Sequence, residues 1–264
     1  MDTGTPKMIA RKAGGVGWMT FNQPEKFNAV SFDMWVAIPK IIAAFEADRD
    51  VHAIVLMGAG EKAFVSGADI SEFEQKRGSA EAVEIYNAAG DAAHAAIAAA
   101  TKPTIAMIRG ICIGGGLGIA LTTDLRIASE NSVFAVPAAK LGLGYGYTGI
   151  KRLADVVGPS FAKEIFFTAR KFSADEAAAM GLVNRVVPVE KLQSFVSEYA
   201  AVIAGNAPLT VKAAKMAINA AASDPDARDL AAVASAVDTC FKSDDYKEGR
   251  KAFMEKRKPM FKGR

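Results

Sequence analysis

Residues 110–124 read GICIGGGLGIALTTD. Gly110, a helix breaker, opens the stretch, a short apolar run leads into Gly114, Gly115 and Gly116, and a helix then begins with a further glycine, Gly118, inside it. Glycine in a helix interior costs about 1 kcal/mol relative to alanine, so this much bare backbone at a helix mouth calls for a reason. Small residues just before a helix leave backbone N–H groups free and aligned with the positive end of the helix dipole. A second stretch has the same character. AFVSGADISEF, residues 63–73, sets Gly67 and Ala68 before an Asp69-x-x-Glu72 pair, with Asp69 the expected N-cap and Glu72 its N3 partner. Two free N–H donors from two helix entrances can converge on one oxygen, which is how an oxyanion hole is made. For either cluster alone the simpler reading is a tight turn that allows close packing.

Outward from these two stretches, short β-rich runs alternate with helical ones. GVGWMTFN (15–22), HAIVLMG (52–58), TIAMIRG (104–110), LRIASE (125–130) and SVFAV (132–136) read as strands from their apolar runs and their Gly or polar boundaries. Between the first two, a helix is predicted from about Ser31, with Met34, Ile38, Ile41, Ile42 and Phe45 on one face and a kink at Pro39. The pattern is that of an α/β protein. After about residue 160 helices dominate. SADEAAAMG (173–181) carries a capping box, Ser173 with Glu176, and a C-cap glycine, Gly181, while APLTVKAAKMAINAA and DLAAVASAVDTCF are amphipathic. The expected organisation is a core over 1–200 and a helical C-terminal region over 201–264, with no Pro-, Gly- or Ser-rich linker between them.

Composition narrows the function classes. The chain has 264 residues, 51% of them hydrophobic, enough for one large core or for a core domain with a small appendage. Its 32 basic and 29 acidic residues are spread along the chain, which argues against nucleic acid and leaves room for an anionic small ligand. The basic C-terminus, KEGRKAFMEKRKPMFKGR, reads either as a solvated helix and tail or as an anion contact. Cys112 and Cys240 are too few for a disulfide framework or a metal site, which points to a reducing compartment. The opening residues MDTGTPKMIARKAGG have no apolar signal core, and no segment approaches about eighteen uncharged apolar residues, so a cytoplasmic protein away from the membrane is expected. His52 and His94 are the only histidines, and neither sits beside an evident partner in sequence, so histidine-centred catalysis is not expected. Gly58-Ala59-Gly60-Glu61-Lys62-Ala63 fits the dinucleotide fingerprint. A dinucleotide site needs a helix starting inside the motif, and the β-branched residue and glycine that follow argue against a nicotinamide cofactor.

The two glycine clusters and the sequence between them resemble the crotonase (enoyl-CoA hydratase/isomerase) superfamily over essentially the whole chain. The resemblance is carried by NQPEKFNAVS, GAGEKAFVSGADISEF, TKPTIAMIRGICIGGGLGIALTTDLRIAS, AKLGLGYGYTGIKRLADVVG, FTARKFSADEAAAMGLVNRVVP, NAPLTVKAAKMAIN and DDYKEGRKAFMEKRKPMF, in that order. It implies a spiral of ββα units, a helical C-terminal trimerisation region, and trimers or dimers of trimers. It also implies a coenzyme A thioester as substrate, no separate cofactor, and a place in fatty acid metabolism as a lyase-like enzyme. The thioester carbonyl would be held by the N–H groups of Ala68 and Gly115. Adenine and phosphate contacts would fall around Lys26, Phe27, Asn28 and Ala29 and around Ala68, Asp69 and Ile70.

The family's hydratases share acid–base work between two glutamates, and both positions differ here. Two residues after the third glycine stands Gly118, and after the proline of FAVPAAKLG stands Ala138; the position near Gly146, where some relatives use an aspartate, carries no acid either. Tyr145 matches a tyrosine of superfamily decarboxylases that act on methylmalonyl-CoA. It is therefore a candidate catalytic hydrogen-bond donor, or an aromatic lining of the acyl channel, although Ala68 and Pro137 replace a histidine and a threonine of that subgroup. Three readings follow: an acyl-CoA enzyme working through a thioester enolate, a base-free decarboxylase of a malonyl-type CoA ester, and a non-catalytic acyl-CoA-binding homologue. An acid from elsewhere, such as Glu72 or Asp91, would decide among them if it reached the pocket.

Overall fold

Val16–Phe21 (β2) is buried at every residue, and its side chains alternate between two cores. Val16 and Trp18 face one way with Val55, Ile105, Met107 and Ile127, whereas Met19 and Phe21 face the other with Ile54, Leu56, Ala106 and Ile108. This period-2 sorting of apolar residues on both faces is what a covered parallel sheet requires. The computed structural model describes residues 2–72 and 79–264. Within it, β1 (Met8–Ala13) pairs antiparallel with β2, and β3 (Ala53–Gly58), β5 (Thr104–Ile108), β7 (Leu125–Ser129) and β10 (Arg185–Val187) follow in parallel, giving the order β1-β2-β3-β5-β7-β10.

A smaller sheet has the order β4-β6-β8-β9, from β4 (Ala63–Val65), β6 (Ile111–Ile113), β8 (Val133–Ala135) and β9 (Phe172–Ser173). The chain therefore repeats one move. A strand in the large sheet is followed within a few residues by a strand in the small sheet and then by a helix: β3-β4 before α2 (Ala80–Ala99), β5-β6 before α3 (Gly115–Leu121), β7-β8 before α4 (Tyr147–Thr168). Three stacked ββα turns make the expected spiral. The strands over 53–58, 104–108, 125–129 and 133–135 lie where the sequence predicts them. β1, β4, β6, β9 and β10 were not foreseen, because strands of two to six residues carry too little periodicity to read.

α1 (Phe32–Ala47) buries Met34, Ile38, Ile41, Ile42 and Phe45 and runs continuously through Pro39. It packs on α2, where the Trp35 indole N–H donates to the Tyr86 hydroxyl at 3.1 Å. The predicted capping box is present in α5 (Ala174–Ala179): Ser173 Oγ accepts the Glu176 N–H and the Glu176 carboxylate accepts the Ser173 N–H. α6 (Leu192–Ala204) covers the outer face of the large sheet with Leu192, Val196 and Ala200. Beyond it, α7 (Pro208–Ala222), α8 (Leu230–Lys242) and α9 (Asp244–Met254) bury few residues of their own, and α8 buries none. Lys215 ties α7 to the core, donating to Asp124 at 2.7 Å and to the Lys102 carbonyl at 3.0 Å.

Candidate active site

Each glycine of the 114–116 triplet answers to a different constraint. Gly114 is the N-cap of α3 at φ 55°, ψ −118°, a conformation open only to glycine. Gly116 presses α3 onto β4 so closely that an added Cβ would lie 2.0 Å from the Val65 carbonyl oxygen. Gly115, between them, meets no such obstacle: a Cβ there would stand 3.5 Å from the Ala68 amide nitrogen. The two helix entrances are thus in contact.

The direction of the Ala68 amide follows from the strand logic around it. Val30 and Ala68 form an isolated parallel bridge, in which the Val30 N–H donates to the Gly67 carbonyl at 2.8 Å and the Asp69 N–H to the Val30 carbonyl at 2.9 Å. Alternate peptide groups point to opposite sides of a strand, so the Ala68 N–H turns away from Val30, toward Gly115. Gly115 is the first residue of α3 and its N–H has no intrahelical acceptor. Among the described residues neither amide donates to a protein acceptor. Half of the cap expected at Asp69 is present: its carboxylate accepts the Ser71 N–H and hydroxyl. Glu72 does not return to Asp69 but accepts the Phe32 N–H at 2.8 Å, capping α1 instead. Any continuation of that helix past Glu72 falls outside the described residues.

The segments expected to meet coenzyme A are brought together. The Ser66 N–H donates to the Phe27 carbonyl, and the Lys26 ammonium lies 2.8 Å from Asp69 Oδ2 and 2.9 Å from Ser71 Oγ. Burial pushes the Asp69 carboxyl up, but the hydrogen bonds from Lys26 and Ser71 outweigh it and hold the group below the usual carboxylate range. Phe27 and Asn28 both adopt left-handed backbone, φ 52° and 57°. Asn28 fixes that turn from inside: its amide donates to the carbonyls of Ala59 and Ala63, and its Oδ1 accepts the Gln23 N–H. Asn28 is accordingly a structural residue. Ala29 is buried beside it, while Phe27 and Ile70 present apolar surface to solvent.

At the two positions without glutamate, the surroundings differ. Ala138 is buried in the 3-10 turn Pro137–Leu141. Gly118 is partly exposed, and a Cβ built on it would lie 3.3 Å from His94 Nε2. This neighbour was missed in the sequence, where His94 has no partner within reach along the chain. His94 sits on α2, tilted against the Trp35 ring at 5.4 Å between centroids, with Nδ1 2.8 Å from the Gly90 carbonyl. Desolvation lowers its pKa below the ordinary histidine value. Of the acids considered as replacements, Glu72 is engaged at α1 and Asp91 is exposed on α2. Tyr145 is half-buried, edge-on to Phe166 at 5.1 Å, and burial pushes its phenol pKa up. Its hydroxyl has no protein partner among the described residues. Gly146 is exposed at the N-cap of α4.

The basic C-terminus is neither free nor gathered at these amides. Asp245 is buried and accepts the N–H groups of Lys262 and Gly263, and Arg257 makes a two-pronged pair with Glu248, whose carboxyl is held down at about 2. A cavity of about 730 Å³ lies among α7, α8 and α9, lined largely by apolar side chains such as Ala213, Val237, Phe241 and Phe253. Among the described residues no helix is long and apolar enough to cross a membrane.

Successive ββα turns across two sheets place the chain in the crotonase superfamily. Residues 11–264 match the family model for enoyl-CoA hydratase/isomerase, and the chain belongs to that family. It is 39% identical over 253 residues to the short-chain-enoyl-CoA hydratase of Clostridium acetobutylicum, covering 95% of each chain. It is 37% identical to the crotonyl-CoA hydratase of Syntrophomonas wolfei, covering 96% of this chain and 97% of that one. Among solved structures, an enoyl-CoA hydratase/carnithine racemase from Magnetospirillum magneticum superposes with a TM-score of 0.91 at 36% identity, over 98% of this chain and 97% of that one.

Proposed function

We propose that this protein processes an acyl-CoA thioester through an enolate whose oxygen is held by the N–H groups of Ala68 and Gly115. The observation that carries the reading is the contact between the two helix entrances, each offering an amide that has no protein acceptor among the described residues. When the α-carbon of a thioester becomes nucleophilic, charge gathers on the carbonyl oxygen, and two fixed backbone donors stabilise that charge by several kcal/mol. Backbone amides cannot be protonated away, so this part of the machinery is insensitive to pH.

The names of the relatives favour hydration of a short 2-enoyl thioester. Lys26, Phe27, Ala29, Asp69 and Ile70 border the same entrance and form the proposed coenzyme A contact, with no cofactor beyond the substrate's own coenzyme A. The apolar side chains left exposed on α8 and α9, Val237, Phe241, Phe253 and Met254, support self-association through the C-terminal helices. Purified protein mixed with crotonyl-CoA is expected to consume the enoyl absorbance. No consumption, alongside measurable binding of a CoA ester, removes the hydratase reading.

The lack of carboxylates at Gly118 and Ala138 supports a second reading, decarboxylation of a malonyl-type CoA ester. Loss of CO₂ itself generates the enolate and needs no base, and Tyr145 would then donate a hydrogen bond to the substrate. Release of CO₂ that falls on Tyr145→Phe is its signature. A non-catalytic acyl-CoA-binding role is defeated by turnover of any ester in a panel.

A further inference from the structure

The position that lacks its carboxylate is not left without a titratable group. Among the described residues outside its own helix, the atom that an added Cβ at Gly118 would meet within 4 Å is His94 Nε2, at 3.3 Å. The Cα–Cβ direction in a helix tilts toward the N-terminus, so the space above Gly118 leans back over the first turn of α3, toward the Gly115 amide. The ring is held in one orientation. A carbonyl only accepts, so the 2.8 Å contact with the Gly90 carbonyl places the proton of the neutral imidazole on Nδ1 and leaves a lone pair on Nε2. Trp35, itself anchored to Tyr86, supports the ring from the side.

We infer that His94 is the proton-transfer group of this site, its Nε2 occupying the place where the family resemblance implies a carboxylate projecting from position 118. The inference rests on the enolate reading given above. In hydration, Nε2 takes a proton from water as the water oxygen bonds to C3 of the enoyl thioester. The C2=C3 pair shifts toward C1, and the carbonyl pair moves onto the oxygen between the Ala68 and Gly115 amides. The imidazolium Nε2–H then returns a proton to C2, the carbonyl re-forms and the ring is neutral again. One water is added across one double bond, and nothing else is consumed.

The groups facing the ring set its protonation. α4 contributes Arg152, whose charge lowers the His94 pKa, Asp91 on α2 raises it, α1 offers the uncharged Trp35 and α3 the bare Gly118. Burial and Arg152 prevail, so at neutral pH the ring is the free base that the first step needs.

The test compares wild type, His94→Gln, Gly118→Ala and the double variant His94→Ala/Gly118→Glu. Three readouts are hydration of crotonyl-CoA, exchange of the C2 hydrogens of butyryl-CoA in D₂O, and butyryl-CoA affinity by calorimetry. His94→Gln is expected to lose about 100-fold or more in hydration and exchange, with affinity within about threefold of wild type. Wild-type kcat/KM should fall toward acid pH as Nε2 takes up its proton, and that limb should vanish in His94→Gln. The double variant should recover about tenfold over His94→Gln by supplying the carboxylate. Gly118→Ala, which crowds Nε2 without touching the fold elsewhere, should slow both reactions and covers the case in which His94→Gln does not fold. The inference is overturned if His94→Gln works at the wild-type rate, if it loses rate and affinity together, or if Gly118→Ala leaves both rates unchanged. Wild type that binds butyryl-CoA but neither hydrates nor exchanges removes enolate formation by proton transfer, and the role of His94 with it; wild type and His94→Gln equally active refute His94 alone.

Discussion

Three alanine substitutions in one triplet should give three different proteins. In Gly116→Ala, the new Cβ would sit 2.0 Å from the Val65 carbonyl oxygen and 2.7 Å from its carbon, against an ordinary contact of 3.4 Å or more. A Cβ cannot rotate away and the nearest Val65 atoms are backbone, so α3 and β4 must separate by about 1.4 Å. Overpacking usually costs about 1–3 kcal/mol where side chains can yield, and here none can, so about 3 kcal/mol or more is expected. At about 2–4 °C per kcal/mol for a chain of this size, the melting temperature should drop by about 6–12 °C. The same separation carries the Gly115 amide away from β4 and the Ala68 amide that follows it, and a displacement of about 1 Å at a site can cost about 100-fold in rate. Gly114→Ala forces alanine into φ 55°, ψ −118° and should cost about 1–3 kcal/mol. Gly115→Ala, with helical backbone and a Cβ at 3.5 Å from its nearest neighbour, should change stability by less than about 1 kcal/mol. Thermal unfolding followed by circular dichroism orders the three. If Gly116→Ala melts with Gly115→Ala, the close approach of α3 to β4 is not what that glycine is for.

The remaining predictions concern charge and the acyl pocket. Asp69→Asn should lower stability at pH 7 by about 1–2 kcal/mol, the value for hydrogen bonds to a charged group discounted because Lys26 is nearly half exposed. The Asp69 pKa is depressed in the fold, so its contribution is complete above about 3.9 and is lost as pH falls through the folded value; urea midpoints of wild type and variant should therefore converge below pH 4. Tyr145→Phe should leave crotonyl-CoA hydration within about threefold, since the hydroxyl has no partner among the described residues, and a larger drop in steady-state rate would return Tyr145 to the reacting atoms. Glu248→Gln removes the acceptor of Arg257 and of the Met260 N–H and should speed tryptic cleavage around Lys256–Lys258. With the Glu248 carboxyl held at about 2, the wild-type tail should stay equally protected from pH 7 down to pH 4, as read by pepsin at the acid end.

What the sequence made legible was what period and capping encode. The long strands β2, β3, β5 and β7 are apolar runs bounded by glycine or polar residues, and Ser173 with Glu176 is a cap that forms wherever a helix follows. β4 and β6 escaped because Ala63–Val65 and Ile111–Ile113 are short and sit among glycines, so the small sheet exists only through pairing of residues about twenty to fifty apart, such as Ile111 with Val133 and Ala63 with Ile111. Glu72 was readable as a cap but not as the cap of α1, which it reaches across forty residues. His94 is the sharpest case: twenty-four residues separate it from Gly118 in the chain, and only the packing of α2 beside α3 makes them neighbours.

With the proposed role of His94, that juxtaposition lets the chain keep the scaffold with Gly118 and Ala138 where the resemblance implies glutamates. The proposed oxyanion donors are backbone groups, fixed by the Val30–Ala68 bridge and by the start of α3, so substitution of a side chain removes them only by moving the fold. The acid–base group has no such tie. It needs a lone pair at one point in space, and a side chain from any helix bordering that point can provide it. A carboxylate at 118 and an imidazole at 94 would compete for the same volume, since even a methyl at 118 crowds Nε2 at 3.3 Å. Glycine at 118 is what a histidine arriving from α2 requires. Gly118→Glu alone, with His94 retained, should then be less stable and less active than wild type, whereas the same change with His94→Ala should be tolerated. Equal stability of the two Gly118→Glu backgrounds in thermal unfolding would show that the two side chains do not share the site.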